Sequence, residues 1–152
     1  VSRQEARRYI ENYFARYPGV KEYIEREIAL ARERGFVTTL LNRRRYLPDL
    51  RSSNFARRSF AERMARNTPV QGSAADIIKL AMLRIDRLIR DGGFKARMLL
   101  QIHDELLFEL PEEELNFFAP LVRREMEKAF ELSVPLKAVV KWGRNWADLQ
   151  AL

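Results

Sequence analysis

The chain has 152 residues, 47% of them apolar, with no cysteine, a single histidine and a formal net charge of +7. That length and apolar share suit one or two compact units, while the missing thiols exclude a disulfide framework and thiolate metal sites and, with one imidazole, argue against zinc. No apolar run approaches the roughly 20 residues of a membrane span and no leader pattern opens the chain, so a soluble cytoplasmic protein with no membrane partner is expected.

Charge is unevenly placed. Residues 1–66 hold 16 Lys and Arg against 8 Asp and Glu, and residues 67–152 hold 12 against 13. All but Lys21 of the basic residues in the first stretch are arginine, the side chain whose planar fork pairs with phosphate oxygens two at a time. A polyanion is the natural partner, and a solvated basic surface is the plain alternative.

Ala6, Ile10, Tyr13, Phe14 and Tyr17 fall at helical spacing behind Ser2, a suitable N-cap, and are expected to face a core. A helical pattern already under way by Arg3 behind Val1 reads as a piece of something longer. Pro18-Gly19 interrupts this helix, and a second follows with Val20, Ile24, Ile28 and Ala31 on one face and Gly35 as its stop. Phe36 to Leu41 then opens an irregular hairpin with Asn42 at the turn, since Asn accepts positive φ readily. Between Arg43 and Arg66 stand eight arginines against only Asp49 and Glu62.

A helix beginning near Asn54 or Ser59 should run to Asn67, with Thr68-Pro69 kinking or restarting it. Beyond Gln71 an amphipathic helix carries Ala74, Ile77, Ile78, Ala81, Ile85 and Leu88. Arg63, Asn67 and Gln71 are spaced by four, so a helix continuing through the kink aligns them along one side. Side chains of these types donate to purine N3 and pyrimidine O2, the minor-groove acceptors of every base pair. They could check duplex shape without reading sequence, although an ordinary polar helix face has the same pattern.

Asp91-Gly92-Gly93 ends that helix. Residues 97–110 then read as a β-hairpin whose tip holds His103, Asp104 and Glu105, where a solvated turn would more often carry Gly, Asn or Pro. Successive side chains on extended backbone point to opposite sides, so Asp104 reads as a single ligand in need of partners. Asp76, at the start of a helix, and Glu109, at a strand end, do not look like that partner. Pro111 with Glu112 to Glu114 begins a further helix, whose stripe is Leu115, Phe118, Ala119, Val122, Met126 and Ala129. Pro135 introduces a third strand through Trp142, and Trp146 suits an anchor for the C-terminal tail. The expected class is α+β, with a helical arm followed by an antiparallel sheet that has helices packed on one face.

Taken together, three stretches resemble the C-terminal part of family A DNA polymerases. They are Thr38 to Asp49 (TTLLNRRRYLPD), Ala61 to Asp76 with Asn67-Thr68-Pro69-Val70-Gln71-Gly72 at its centre, and Gln101-Ile102-His103-Asp104-Glu105, similar to the family's motif C with Ile102 in place of the usual valine. Asn42 stands where many members have glycine. The resemblance implies remaining fingers helices over 1–35 and an incomplete palm over 36–152. It implies that Asp104 is one of two aspartates holding catalytic Mg2+, that Glu105 supports it, and that His103 reaches the primer-terminal base pair. Arg63, Asn67 and Gln71 match positions that contact primer–template DNA.

Motif A, with the second aspartate, and motif B, which binds the deoxynucleoside triphosphate, are absent from these residues. The expectation is a DNA-directed DNA polymerase whose remaining chain is a partner, this stretch alone being inactive. Two alternatives stay open: a non-catalytic, sequence-independent duplex-binding fragment, and one half of a split polymerase.

Overall fold

The computed structural model describes all residues from Val1 to Leu152. The chain is α+β: four α-helices, α1 (Arg3–Arg16), α2 (Pro18–Arg34), α3 (Phe55–Asp91) and α4 (Leu115–Glu127), with six short strands. The strands are β1 (Phe36–Thr38), β2 (Arg44–Tyr46), β3 (Arg97–Ile102), β4 (Glu105–Glu109), β5 (Lys141–Trp142) and β6 (Gln150–Ala151). They pair antiparallel as three separate two-stranded ladders, β1–β2, β3–β4 and β5–β6. Two compact units divide between Ser73 and Ala74, inside α3. No helix is long and apolar enough to cross a membrane.

In the first unit, Ser2 and Glu5 close a capping box on α1. The Glu5 N–H donates to Ser2 Oγ at 3.2 Å and the Ser2 N–H donates to Glu5 Oε2 at 2.8 Å, satisfying two of the donors every helix start leaves open. The expected core face of α1 is not a core. No residue of α1 is buried, and Ile10, Tyr13 and Tyr17 are each at least half exposed. The rings pack on one another instead, Tyr13 lying 5.2 Å from Tyr17 and 5.6 Å from Phe14.

Pro18 opens α2 and Gly35 closes it at φ 81, its N–H returning to the Ala31 carbonyl at 2.8 Å. Ala31 is fully buried and joins Val37, Leu47, Leu50, Ala61 and Ala65 in the core of this unit. Asn42 sits at φ 59 in the β1–β2 turn, as expected. That turn lies tight against α3. The Leu40 N–H donates to Ser73 Oγ at 2.9 Å, and a Cβ added at Gly72 would meet Thr39 Cγ2 at 2.7 Å. Only glycine permits so close an approach.

The side chain of Asn54 caps α3, accepting from the Ala56 and Arg57 N–H groups at 2.9 and 3.2 Å. No break occurs at Thr68-Pro69. The helix runs through Pro69 for 37 residues, about 55 Å at 1.5 Å per residue. Proline removes the donor due to the Ala65 carbonyl, and the Ser73 hydroxyl returns to the Pro69 carbonyl one turn on.

In the second unit, Ala81 and Ile85 of α3, Ala96, Phe118 and Val122 of α4, and Ala129 form the core. Ile77, Met98, Leu106, Phe108 and Met126 pack against it, and the Phe118 ring lies 5.3 Å from Phe94 and 5.5 Å from Phe108. Ala74, expected on the apolar face, is exposed. Gly93, at φ 65, turns the chain out of α3. Pro111 leads into a single 3-10 turn, Glu112–Glu114, rather than the α-helix expected there, and α4 starts at Leu115. The Glu114 carboxylate accepts from the Lys95 N–H at 3.0 Å.

The expected third strand shrinks to Lys141–Trp142 and pairs with Gln150–Ala151, not with the 97–110 hairpin. One donor is diverted from it: the Glu127 carboxylate accepts from the Ala138 N–H at 3.1 Å, withdrawing a group that a longer ladder would need. Trp146 does not anchor the tail. It stands 56% exposed in a 3-10 turn capped by Asn145 Oδ1.

Candidate nucleic-acid interface and metal-ligand turn

The hairpin tip is built from its ladder outward. Leu106 and Phe108 of β4 pack onto the second unit's core, which fixes the base of the hairpin. The ladder pairs Met98 with Phe108, Leu100 with Leu107, Gln101 with Leu106 and Ile102 with Glu105, with Leu99 as an extra residue in a bulge. A bulge bends its strand and re-aims what lies beyond. His103 and Asp104 form the two-residue loop.

His103 has φ 53. Two-residue hairpin loops call for positive φ, usually met by Gly, Asn or Asp, and the left-handed region costs another residue about 1–2 kcal/mol. The Gln101 Nε2 amide donates to the His103 carbonyl at 3.1 Å. His103, Asp104 and Glu105 are all exposed. The structure thus gathers these three predicted residues at one tip.

No group of three His, Cys, Asp or Glu side chains that could hold a metal ion occurs in the chain. What the tip does offer is two exposed carboxylates on consecutive residues, Asp104 and Glu105, both hard oxygen donors. That fits magnesium, which takes one or two protein carboxylates and completes its shell with water and substrate phosphates. It does not fit a metal needing a full protein cage. Asp76 is corrected here: it lies inside α3, only 2% exposed, not at a helix start. Glu109 ends β4 as expected.

In the first unit, helical continuity through Pro69 brings Arg63, Asn67 and Gln71 into one exposed row on α3, while Ala61, Ala65, Pro69 and Ser73 are buried on the opposite side. The Arg63 guanidinium lies 5.5 Å from the Phe60 ring centroid, which pre-orders a long side chain without consuming its donors. Such a row presents donors at intervals of about 6 Å.

The arginine-rich stretch divides in a way charge alone did not reveal. Arg51 donates to the Arg32 and Glu33 carbonyls at 2.9 to 3.0 Å, closing the end of α2. Arg58 donates to the Ser52 carbonyl at 2.9 Å, and Arg45 reaches Thr68 Oγ1 at 3.4 Å. Those three serve the fold. Arg44, on an exposed strand and stacked 4.8 Å from the Phe36 ring centroid, presents its fork to solvent as Arg63 does. Sequence reading included Gln101 and Ser73 in the stretches that resemble the family but gave neither a role of its own. Gln101 lies two residues before the tip, a spacing that could have singled it out.

The sequence profile of DNA polymerase family A matches residues 1–148. The DNA polymerases I of Bacillus caldotenax and Geobacillus stearothermophilus are each 53% identical over 148 residues, 97% of this chain. That of Bacillus subtilis is 50% identical over the same length. The chain spans 17% of the length of these relatives. Among solved structures, the polymerase domain of Pol1 from M. smegmatis, in complex with DNA primer-template and dNTP, overlays 98% of this chain and is covered to 26%, with a TM-score of 0.93 and 49% identity. A profile match across nearly every residue, joined to this overlay, identifies the chain as a member of DNA polymerase family A.

Proposed function

We propose that this chain is the part of a DNA-directed DNA polymerase that holds primer–template DNA and supplies one metal-binding aspartate, residues 1–35 belonging to the fingers and 36–152 to the palm. The observation that carries this reading is the overlay on a polymerase domain solved with primer-template and dNTP. In the reaction, the primer 3′ hydroxyl attacks the α-phosphorus of a deoxynucleoside triphosphate. A new P–O bond forms, the bond to pyrophosphate breaks and pyrophosphate leaves with its electron pair, and the hydroxyl proton passes to solvent water.

Magnesium, when bound, supplies charge neutralisation on the attacking and leaving oxygens. Asp104 would hold it at one coordination position, with Glu105 as the acidic neighbour, and the second carboxylate comes from the rest of the polymerase. Arg63, Asn67 and Gln71 donate to the duplex minor groove, and His103 meets the primer-terminal base pair. His103 would keep the reacting end in place, where small misplacements are costly to rate.

The test is primer extension by a chimera in which this chain replaces the matching 148 residues of the Bacillus caldotenax enzyme. The chimera should incorporate nucleotides, and Asp104→Asn should lower the rate by roughly 10²–10³-fold or more, the loss typical of a removed charge-stabilising group. Gln71→Ala should weaken primer–template retention. A folded chimera that binds duplex but incorporates nothing would sink the proposal, as would Asp104→Asn at the wild-type rate.

A further inference from the structure

Asp104 follows a residue in a backbone region that side chains rarely adopt, and one hydrogen bond ties that residue down. We infer that Gln101 is a positioning residue for Asp104: its side-chain amide holds the His103 carbonyl, and with it the left-handed His103 backbone that sets the direction in which Asp104 leaves the turn. The inference rests on the reading of Asp104 as the metal ligand. Three observations carry it.

His103 sits at φ 53 without being glycine, so the loop has extended conformations to relax into. The bond from Gln101 Nε2 to the His103 carbonyl, at 3.1 Å, spans the turn from the last part of β3. That donor stands on rigid ground, because Gln101 is paired with Leu106, which packs on the core. A ladder residue thus passes the order of the core to the tip. Precise aim matters here because a ligand held loosely by an ångström supports chemistry poorly.

The experiment uses the 152-residue chain, isotope-labelled, with backbone order parameters and 13C shifts of His103 and Asp104 read by NMR. In the wild type both residues should be as rigid as the strands, with order parameters near ~0.85. Gln101→Leu and the isosteric Gln101→Glu, which lack the amide donor, should drop the tip below about 0.6 and shift His103 toward extended backbone, with the remainder of the spectrum and the thermal midpoint unchanged. Gln101→Lys keeps a donor on a long stem and should hold the tip ordered.

Wild-type order in Gln101→Glu overturns the inference. So does disorder in all three variants, which would make glutamine's shape, not its donor, the requirement. A parallel titration with Mn2+ separates this from the metal reading: paramagnetic broadening at the tip should vanish in Asp104→Asn. Persistent broadening in that variant defeats the ligand assignment while leaving the order-parameter result to stand or fall separately.

Discussion

At the scale of single residues, two contacts have measurable consequences. The Gly72 position admits no Cβ while Thr39 Cγ2 lies 2.7 Å from where it would stand. Gly72→Ala should therefore destabilise the chain by about 1–3 kcal/mol, as overpacking does, read as a lower urea midpoint with an unchanged slope. Adding Thr39→Ser removes the clashing methyl while keeping the hydroxyl that accepts from the Arg43 N–H, so the double variant should recover much of the loss. Glu5 supplies a pH dependence. The hydrogen bonds it makes with Ser2, the backbone one first, lower its carboxyl below the ordinary value of 4.5. A depressed folded-state value means that the contribution is complete above the unfolded value and disappears as pH falls through the lowered one. Protection of the amides at the start of α1, relative to their intrinsic exchange rates, should accordingly fall in acid, and Ser2→Ala should lessen that pH dependence without removing it, because the backbone N–H that lowers the carboxyl most is kept.

At the scale of elements, the instructive case is α3. Interior proline costs a helix about 3 kcal/mol, yet Pro69 is buried within an unbroken run. Pro69→Ala returns a donor to the Ala65 carbonyl and removes two methylenes, a loss of about 1.6 kcal/mol at ~0.8 each. The gain in helix propensity exceeds that loss, so thermal stability should rise by on the order of 1 kcal/mol. Asn42 and Gly35 were legible in sequence because their conformational roles are set by neighbours a few residues away, whereas the start of α3 was narrowed only to Asn54 or Ser59 and its cap, Asn54, came from the structure. The continuity at Pro69 was not legible, since it depends on what lies against the buried side of the helix. Nor was the short β5: the donor it lacks is taken by Glu127, eleven residues from Ala138. The tip residues His103, Asp104 and Glu105 stood out by type, but the left-handed backbone at His103 did not, because histidine is an unusual choice there.

At the scale of the whole molecule, the charge excess needs sorting before it is read as an interface. Arginine density was plain from the sequence, whereas its division between helix ends and solvent requires coordinates. If Arg44 meets a duplex phosphate, Arg44→Ala should weaken binding and flatten the dependence of log K on log salt by about 0.9. Arg51→Ala should instead leave the salt slope alone and lower the unfolding midpoint, because its guanidinium is committed to the Arg32 and Glu33 carbonyls. Fluorescence anisotropy at several ionic strengths, beside a denaturant melt, distinguishes the two groups.

The helix shared by both units has a further consequence, for dissection by proteases. Units are commonly parted at exposed, flexible linkers, and here the divide between Ser73 and Ala74 falls where Ser73 is buried and the backbone is helical. A protease finds no strand of loose chain to thread at that point. Mild digestion should trim ends and surface loops before it cuts there, and separate pieces would have to be made by choosing where to sever a helix.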